Sequence, residues 1–256
     1  MSNTVLSIHA HPDDTEVFCS GALALLNGVG ARIVIATLTG GGMGGMGEGE
    51  QATVEKRIEE ATRAAGLVDA DYYCLSGRDG FLYDTMERRL EVLGLLRRVR
   101  PDIVMTHLPF DYHADHRATS HIVEIACMLT TLANAPTPLA PTERTPLLYH
   151  TAPMRMLDHL GRRPPPPDFY IDVGPVMDTK LRMLGMHETQ QELMRVMHGM
   201  DDFFGEMKQF ARDRGAEAGV EFAEAYWQHG GGGFHTEPRL QEALSHALRE
   251  VEQGET

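Results

Sequence analysis

The stretch TVLSIHAHPDDTEVFCSGALALLNGVGARIVIATLT, residues 4–39, decides the fold. It opens on an apolar run, "TVLSIHA", passes through a helical pattern, "EVFCSGALALLNGVG", and closes on a second apolar run, "RIVIATLT". Apolar runs without alternation belong to strands buried on both faces, and two of them joined by a helix make a parallel βαβ unit. The pattern repeats downstream: a helix through "VEKRIEEATRAAGL", a strand at "DYYCLS", a helix at "MERRLEVLGLLRRVR" and a strand from Asp102 to Thr106. Gly66 closes one helical pattern and Pro101 follows another, as helix ends require. The expectation is an α/β fold, a Rossmann-like doubly wound and mostly parallel sheet with helices on both faces.

After a long helical segment, "HRATSHIVEIACMLTTLANA", the texture changes to "PTPLAPTERTP" and "GRRPPPP", read as surface loops around strands at "LLYHTA" and "DFYIDV". The last third reads as mostly helical, ending in a flexible "HGGGGFH" run that serves as a loop or a mobile lid. Nothing marks a linker, so residues 1–256 read as one domain in which about 132–256 supplies loops and helices around the substrate site.

Composition excludes several classes. With 42% apolar and 23% charged residues the chain is neither disordered nor a membrane protein, and no run is long enough to span a bilayer. A formal charge of −14 repels phosphate backbones and anionic lipid, and "RRLEVLGLLRRVR" reads as solvated helix faces, so nucleic acid is not an expected partner. Cys19, Cys74 and Cys127 stand in no paired spacing, which suits free thiols in a reducing compartment. The N-terminus carries no basic-then-apolar leader; the expected location is the cytoplasm.

In open parallel sheets ligands gather beyond the carboxyl ends of the strands. Two such ends carry chemistry here: "HAHPDDTE", His9 to Glu16, and "DYHADHRAT", Asp111 to Thr119. Each alone could be a turn and a helix cap. Together they pack carboxylates so closely that a cation is needed to relieve their repulsion. A catalytic Zn²⁺ takes three His or carboxylate ligands and leaves a position open. His11 and Asp14 can face one ion and His116 can close the set, leaving Asp13 as a general base for metal-bound water. His113 is spare, with Asp115 placed to orient it as general acid or oxyanion stabiliser. His9, His107, His121 and His150 are not expected as ligands, His9 being closest to the motif as a partner behind a ligand.

These paired motifs resemble the LmbE/PIG-L family of zinc-dependent N-deacetylases, which hydrolyse the acetamide of N-acetylglucosamine derivatives. "AHPDD", "DxHxDH", "TLTGG", "KRIEEATRAAG", "RDG", "KLRMLGMHETQ" and "VEFAEAY" stand in family order over most of the chain. The resemblance implies metal ligands His11, Asp14 and His116, the base Asp13, and a second catalytic histidine, His113, supported by Asp115. It adds Arg57 and Asp79 as sugar contacts, and a family feature at His187 and Gln190 that as readily suits a structural pair. Some members carry a tyrosine where Asp111 stands, with Tyr112 adjacent here, so both enter as substrate-binding candidates; a common proline is Ala114. The implied substrate is a small N-acetylated sugar or glycoconjugate, the implied cofactor Zn²⁺ with Fe²⁺ or another divalent ion as substitutes, and the implied assembly a homo-oligomer, a hexamer or smaller.

Other readings compete. An amidase acting on a different N-acylated molecule would use the same residues. A non-haem iron oxygenase also uses two histidines and a carboxylate, but commonly on all-β folds. A non-catalytic nucleotide-binding module would draw on "GGGMGGMG", where Gly40, Gly42 and Gly45 imitate a dinucleotide fingerprint. That run follows the second strand instead of the first, and a loop beside the substrate pocket is the more economical reading.

Overall fold

The computed structural model describes residues 3–251. The first half of the chain alternates strand and helix: β1 (Thr4–His9), α1 (Asp14–Phe18), α2 (Ser20–Gly28), β2 (Arg32–Thr39), α3 (Glu50–Gly66), β3 (Asp71–Gly77), α4 (Met86–Val99), β4 (Ile103–His107), α5 (Ala114–Leu129) and β5 (Leu147–Thr151). Then follow β6 (Phe169–Asp172), α6 (Met177–Gly185), α7 (Glu188–His198), α8 (Phe203–Ala218), β7 (Ala223–Gln228), α9 (Arg239–Ala243) and β8 (Leu248–Glu250).

Among the described residues the strands form one sheet, ordered β3-β2-β1-β4-β5-β7-β6-β8. The first five are mutually parallel, whereas β7 pairs antiparallel with both β5 and β6, and β6 antiparallel with β8. The doubly wound, mostly parallel expectation holds. The chain reverses its direction of travel across the sheet between β1 and β4, the switch point where loops diverge and leave a crevice. Both chemical motifs follow these two strands.

Strand alternation divides the core. Val5, Ile33, Ile35, Ile103 and Tyr149 face one cluster with Leu23, Leu26 and Ala64 of the helices. Leu6, Ile8, Val34, Val104 and Leu148 face another with Leu96, Ile122 and Val123. Both faces are therefore apolar, which is why these strands read as continuous hydrophobic runs.

Three local readings are corrected. The expected first helix is two: α1 and α2 break at Cys19. The joint is held by Lys180, 1% exposed, whose Nζ donates to Val17 O (2.8 Å) and Glu224 Oε1 (2.7 Å). Glu224 also accepts from the Gly21 and Ala22 amides, both at 2.9 Å, so it caps the start of α2 from across the sheet. Residue Glu224 sits on β7, a strand inside a region expected to be mostly helical. In "RRLEVLGLLRRVR", Arg97 is buried instead of solvated, donating to the carbonyls of Leu129, Thr130, Leu132 and Leu139 and so satisfying the C-terminal end of α5. The proline-rich "GRRPPPP" piece has a connecting role: the carbonyls of Pro165 and Pro166 accept from Trp227 Nε1.

Candidate metal centre

Asp13 ends the turn between β1 and α1 as the helix N-cap, and Asp14 is the first residue of α1. Asp13 adopts a left-handed conformation, φ 95°, uncommon for a side-chain-bearing residue but more accessible to Asp and Asn than to most others. Its carboxylate does not cap the helix behind it. Asp14 instead folds back to accept the His11 backbone amide at 2.8 Å, closing the "HPDD" turn. Across the crevice, His113 is the N-cap of α5, and His116 lies one turn in.

Asp14 joins the two motifs. Its Oδ2 lies 3.3 Å from His11 Nδ1 and its Oδ1 lies 3.3 Å from His116 Nε2. Among the described residues, three overlapping groups have donor atoms within 4.8 Å of one another: His11, His113 and His116; Asp14, His107 and His116; and His11, Asp79 and Asp115. Hydrogen bonding separates candidates from supporters. His107 is stacked on His116 at 3.8 Å, but its Nε2 lone pair accepts the Ala10 amide at 3.0 Å and is not free for an ion. His11 Nε2 faces Asp79 Oδ1 and Asp115 Oδ2, each at 3.3 Å, which leaves Nδ1 on the Asp14 side. His116 Nδ1 meets Asp111 Oδ1 at 3.0 Å, which leaves Nε2 on the same side. Two imidazoles, each backed by carboxylate, and one carboxylate between them form a donor set suited to a divalent ion.

Electrostatics follow from this crowding. Burial disfavours the His11 imidazolium, yet Asp115, Asp14 and Asp79 outweigh it and hold the ring well above its ordinary pKa. His116 is likewise opposed by burial but pushed up to about 9 by Asp14 and Asp111. Asp14 is held well below the usual carboxylate range, its burial overcome by His116 and His107. Asp13 moves the other way: burial first, then Asp14, raise it to about 7 against His187, Arg57 and His11.

The cavity above this cluster measures about 940 Å³ and is lined by His11, Asp13, Asp14, Arg57, Asp79, Tyr112, His113 and His116, among others. Arg57, 4% exposed, donates to Gly44 O and leaves Nε without a partner. The loop at Gly41 takes a positive φ (+67°) that favours glycine, and a Cβ there would stand 2.7 Å from Arg57 Nη1. Asp79 pins the same loop by accepting the Met43 amide. The glycine run thus frames the cavity.

Two expected roles are displaced. Asp115 does not orient His113 through its carboxylate, which instead accepts the Gly80 amide at 2.7 Å and faces His11. Only its backbone amide meets His113, donating to Nδ1 at 3.2 Å. Asp111 is fully buried behind His116, accepting the His113 amide and meeting the His116 ring, so it does not line the cavity as a substrate contact would. The "HGGGGFH" run is not a lid: Phe234 is buried in the second core cluster, away from this cavity.

One contributor was not assigned from sequence. Glu16 Oε2 lies 3.4 Å from His187 Nε2, a buried pair beside Asp13. No local signal marks Glu16, because its partner lies far along the chain at the start of α7. Of the two residues named through the resemblance, Gln190 lines the cavity and His187 faces Glu16.

The family model for PIG-L, GlcNAc-PI de-N-acetylase, matches residues 6–127. The chain is 30% identical over 193 residues to the diacetylchitobiose deacetylase of Thermococcus kodakarensis, covering 73% of this chain and 69% of that one. Its fold is similar to N,N'-diacetylchitobiose deacetylase from Pyrococcus horikoshii, with TM-score 0.75, 23% identity, and 93% and 87% of the two chains covered. It is equally similar, at TM-score 0.75 and 21% identity over 93% and 100%, to the 4-carboxy-2-hydroxymuconate hydratase GalB of Pseudomonas putida. At those identities the last two likenesses concern fold alone, and the fold carries more than one chemistry.

Proposed function

The chain belongs to the PIG-L family of de-N-acetylases, and on that basis we propose that it removes the acetyl group from an N-acetylglucosamine-type sugar or glycoconjugate, giving acetate and a free amine. The carrying observation is the Asp14 carboxylate set between His11 Nδ1 and His116 Nε2, with Asp13 beside it on the cavity wall. Those three donors would hold the ion. Zn²⁺ suits two nitrogens and a carboxylate, with Fe²⁺ or another divalent ion as a substitute. When bound, such an ion polarises the amide carbonyl and lowers the pKa of water.

The protein's own groups carry the rest. Asp13 takes the proton of the attacking water, and a pKa raised to about 7 suits a base working near neutrality. Water adds to the acetyl carbon, the C–N bond breaks, and the proton passes from Asp13 to the leaving nitrogen. His113 accepts a backbone amide at Nδ1, so its ring proton resides on Nε2. Burial, then His116 and His11, lower its pKa and favour the neutral ring. That supports hydrogen-bond donation to the developing oxyanion over proton delivery. Arg57, Asp79 and Tyr112 line the same space as sugar contacts.

The lining draws on Asp14 and His116 as well as on Met154 and Phe210, which supports reading the chain as one catalytic unit. No helix among the described residues is long and apolar enough to cross a membrane. A small N-acetylated sugar is the expected partner, and a homo-oligomer the expected assembly.

The test is Asp13→Asn, chosen because Asn tolerates the left-handed backbone. Acetate release should fall about 10²–10⁴-fold with metal content unchanged. Near-normal turnover would remove Asp13 from the base role.

A further inference from the structure

The cavity has two unlike halves. One holds the donor cluster with Arg57, Asp79 and Tyr112. The other is walled by the segment after β5 and by α7, α8 and the turn between them. Met154, Leu157, Leu193, Met194 and Met200 are only half-buried there, their remaining apolar surface turned to the cavity, and Phe203, Met207 and Phe210 back them from the core. A volume of about 940 Å³ lies at the upper end of the range for drug-sized ligands and leaves ample room beyond one hexose. Half-buried apolar side chains leave an uncompensated hydrophobic surface unless a ligand covers it, and methionine adapts to ligands of irregular shape.

Charge narrows the choice. Asp158, Glu206 and Asp213 line this half, against Arg155 as its lining cation. A carboxylated or phosphorylated aglycone would meet three acids and one base, whereas an uncharged apolar group meets no penalty.

Resting on the deacetylase reading above, we propose that the substrate is an N-acetylamino sugar bearing a bulky, uncharged apolar aglycone, with the sugar over the donor cluster and the aglycone against the methionine-lined wall. Free N-acetylhexosamine and anionic glycosides are then poor substrates.

The experiment compares acetate release by the zinc-reconstituted protein from methyl, hexyl and carboxypentyl glycosides of N-acetylglucosamine, in both anomers. Each methylene buried on the wall contributes about fourfold in binding. The hexyl glycoside should therefore exceed the methyl glycoside by about tenfold or more in kcat/KM, mainly through KM, and the carboxypentyl glycoside should lose most of that gain. Leu193→Gln and Met200→Gln, at half-buried positions, should each reduce the hexyl-to-methyl ratio about threefold or more. Equal kcat/KM for methyl and hexyl glycosides overturns the aglycone proposal while leaving the deacetylase reading intact. A hexyl preference undiminished in both variants also overturns it, by placing the aglycone elsewhere. Acetate release from none of the glycosides, with zinc bound, overturns the deacetylase reading and the proposal with it.

Discussion

Replacing Asp111 with asparagine probes the donor set from behind. Asp111 is fully buried, and its Oδ1 meets His116 Nδ1 at 3.0 Å and accepts the His113 amide at 2.8 Å. Both contacts ask only for an acceptor, which the Asn carbonyl provides, so the turn leading into α5 should keep its geometry. What is lost is the negative charge that, with Asp14, pushes His116 up to about 9 and makes its Nε2 a better donor. Losing such a partner costs about 10–100-fold in metal affinity, on the order of 1.4–2.7 kcal/mol. The replaced oxygen, Oδ2, has no hydrogen-bond partner, so the new amide group breaks no existing bond. Competition for zinc against a chromophoric chelator measures the affinity, with circular dichroism as the check on folding. The Asp14→Asn variant should lose far more, because it removes a donor. Zinc affinity of Asp111→Asn within threefold of the parent, in a folded protein, would refute the assignment of His116 as a ligand supported by Asp111.

Two further outcomes concern stability, both measured with chelator present. Lys180→Met leaves the Glu224 carboxylate buried at 4% exposure without its counter-charge, and urea unfolding should show a loss of about 3–5 kcal/mol, largely recovered when Glu224→Gln is added; a loss under ~1 kcal/mol would mean the pair is not desolvated. His150 is buried and donates to the His107 carbonyl through Nδ1, and burial lowers its pKa to about 4. The unfolded chain binds the proton at about 6.5, so stability is complete above that pH, falls as pH drops toward 4, and falls no further from this group below it. The ceiling is on the order of 3 kcal/mol. His150→Gln should flatten that slope, and an unchanged pH profile of unfolding would show that His150 is not neutral in the fold.

The parallel half was legible because burial on both faces writes itself into unbroken apolar runs, as in "RIVIATLT". The clustering of the proposed donors was legible for a similar reason: His11, Asp14 and His116 lie in two dense motifs at strand ends, where the fold class already says ligands gather, and the fold brings those motifs together. What failed were residues whose role depends on a distant partner. The strand β7 is built from "AEAYWQ", with alanine and glutamate that favour helices locally; its state is set by pairing with β5 and β6 and by the cap Glu224 gives α2. Arg97 looked like any helix-surface arginine until the carbonyls ending α5 closed around it. Asp115 was assigned to the neighbouring histidine in sequence, whereas its side chain reaches His11 from the far strand end. Sequence proximity predicted the backbone contact of Asp115 with His113 and missed the carboxylate contact, because the helix turns the side chain away.

The position of β7 between β5 and β6 has a consequence during synthesis. Strands β1 to β5 can assemble in the order they leave the ribosome, each finding a parallel neighbour already made. The open side of β5 then waits for β7, which emerges only after β6 and three helices have been translated. At ~5–20 residues per second the delay is on the order of ten seconds. Over that interval β5 presents an unpaired edge of apolar character, "LLYHT", and β6 has no strand to join. A ribosome stalled before Ala223 should therefore carry a nascent chain with a protected N-terminal half and a protease-sensitive, chaperone-binding remainder.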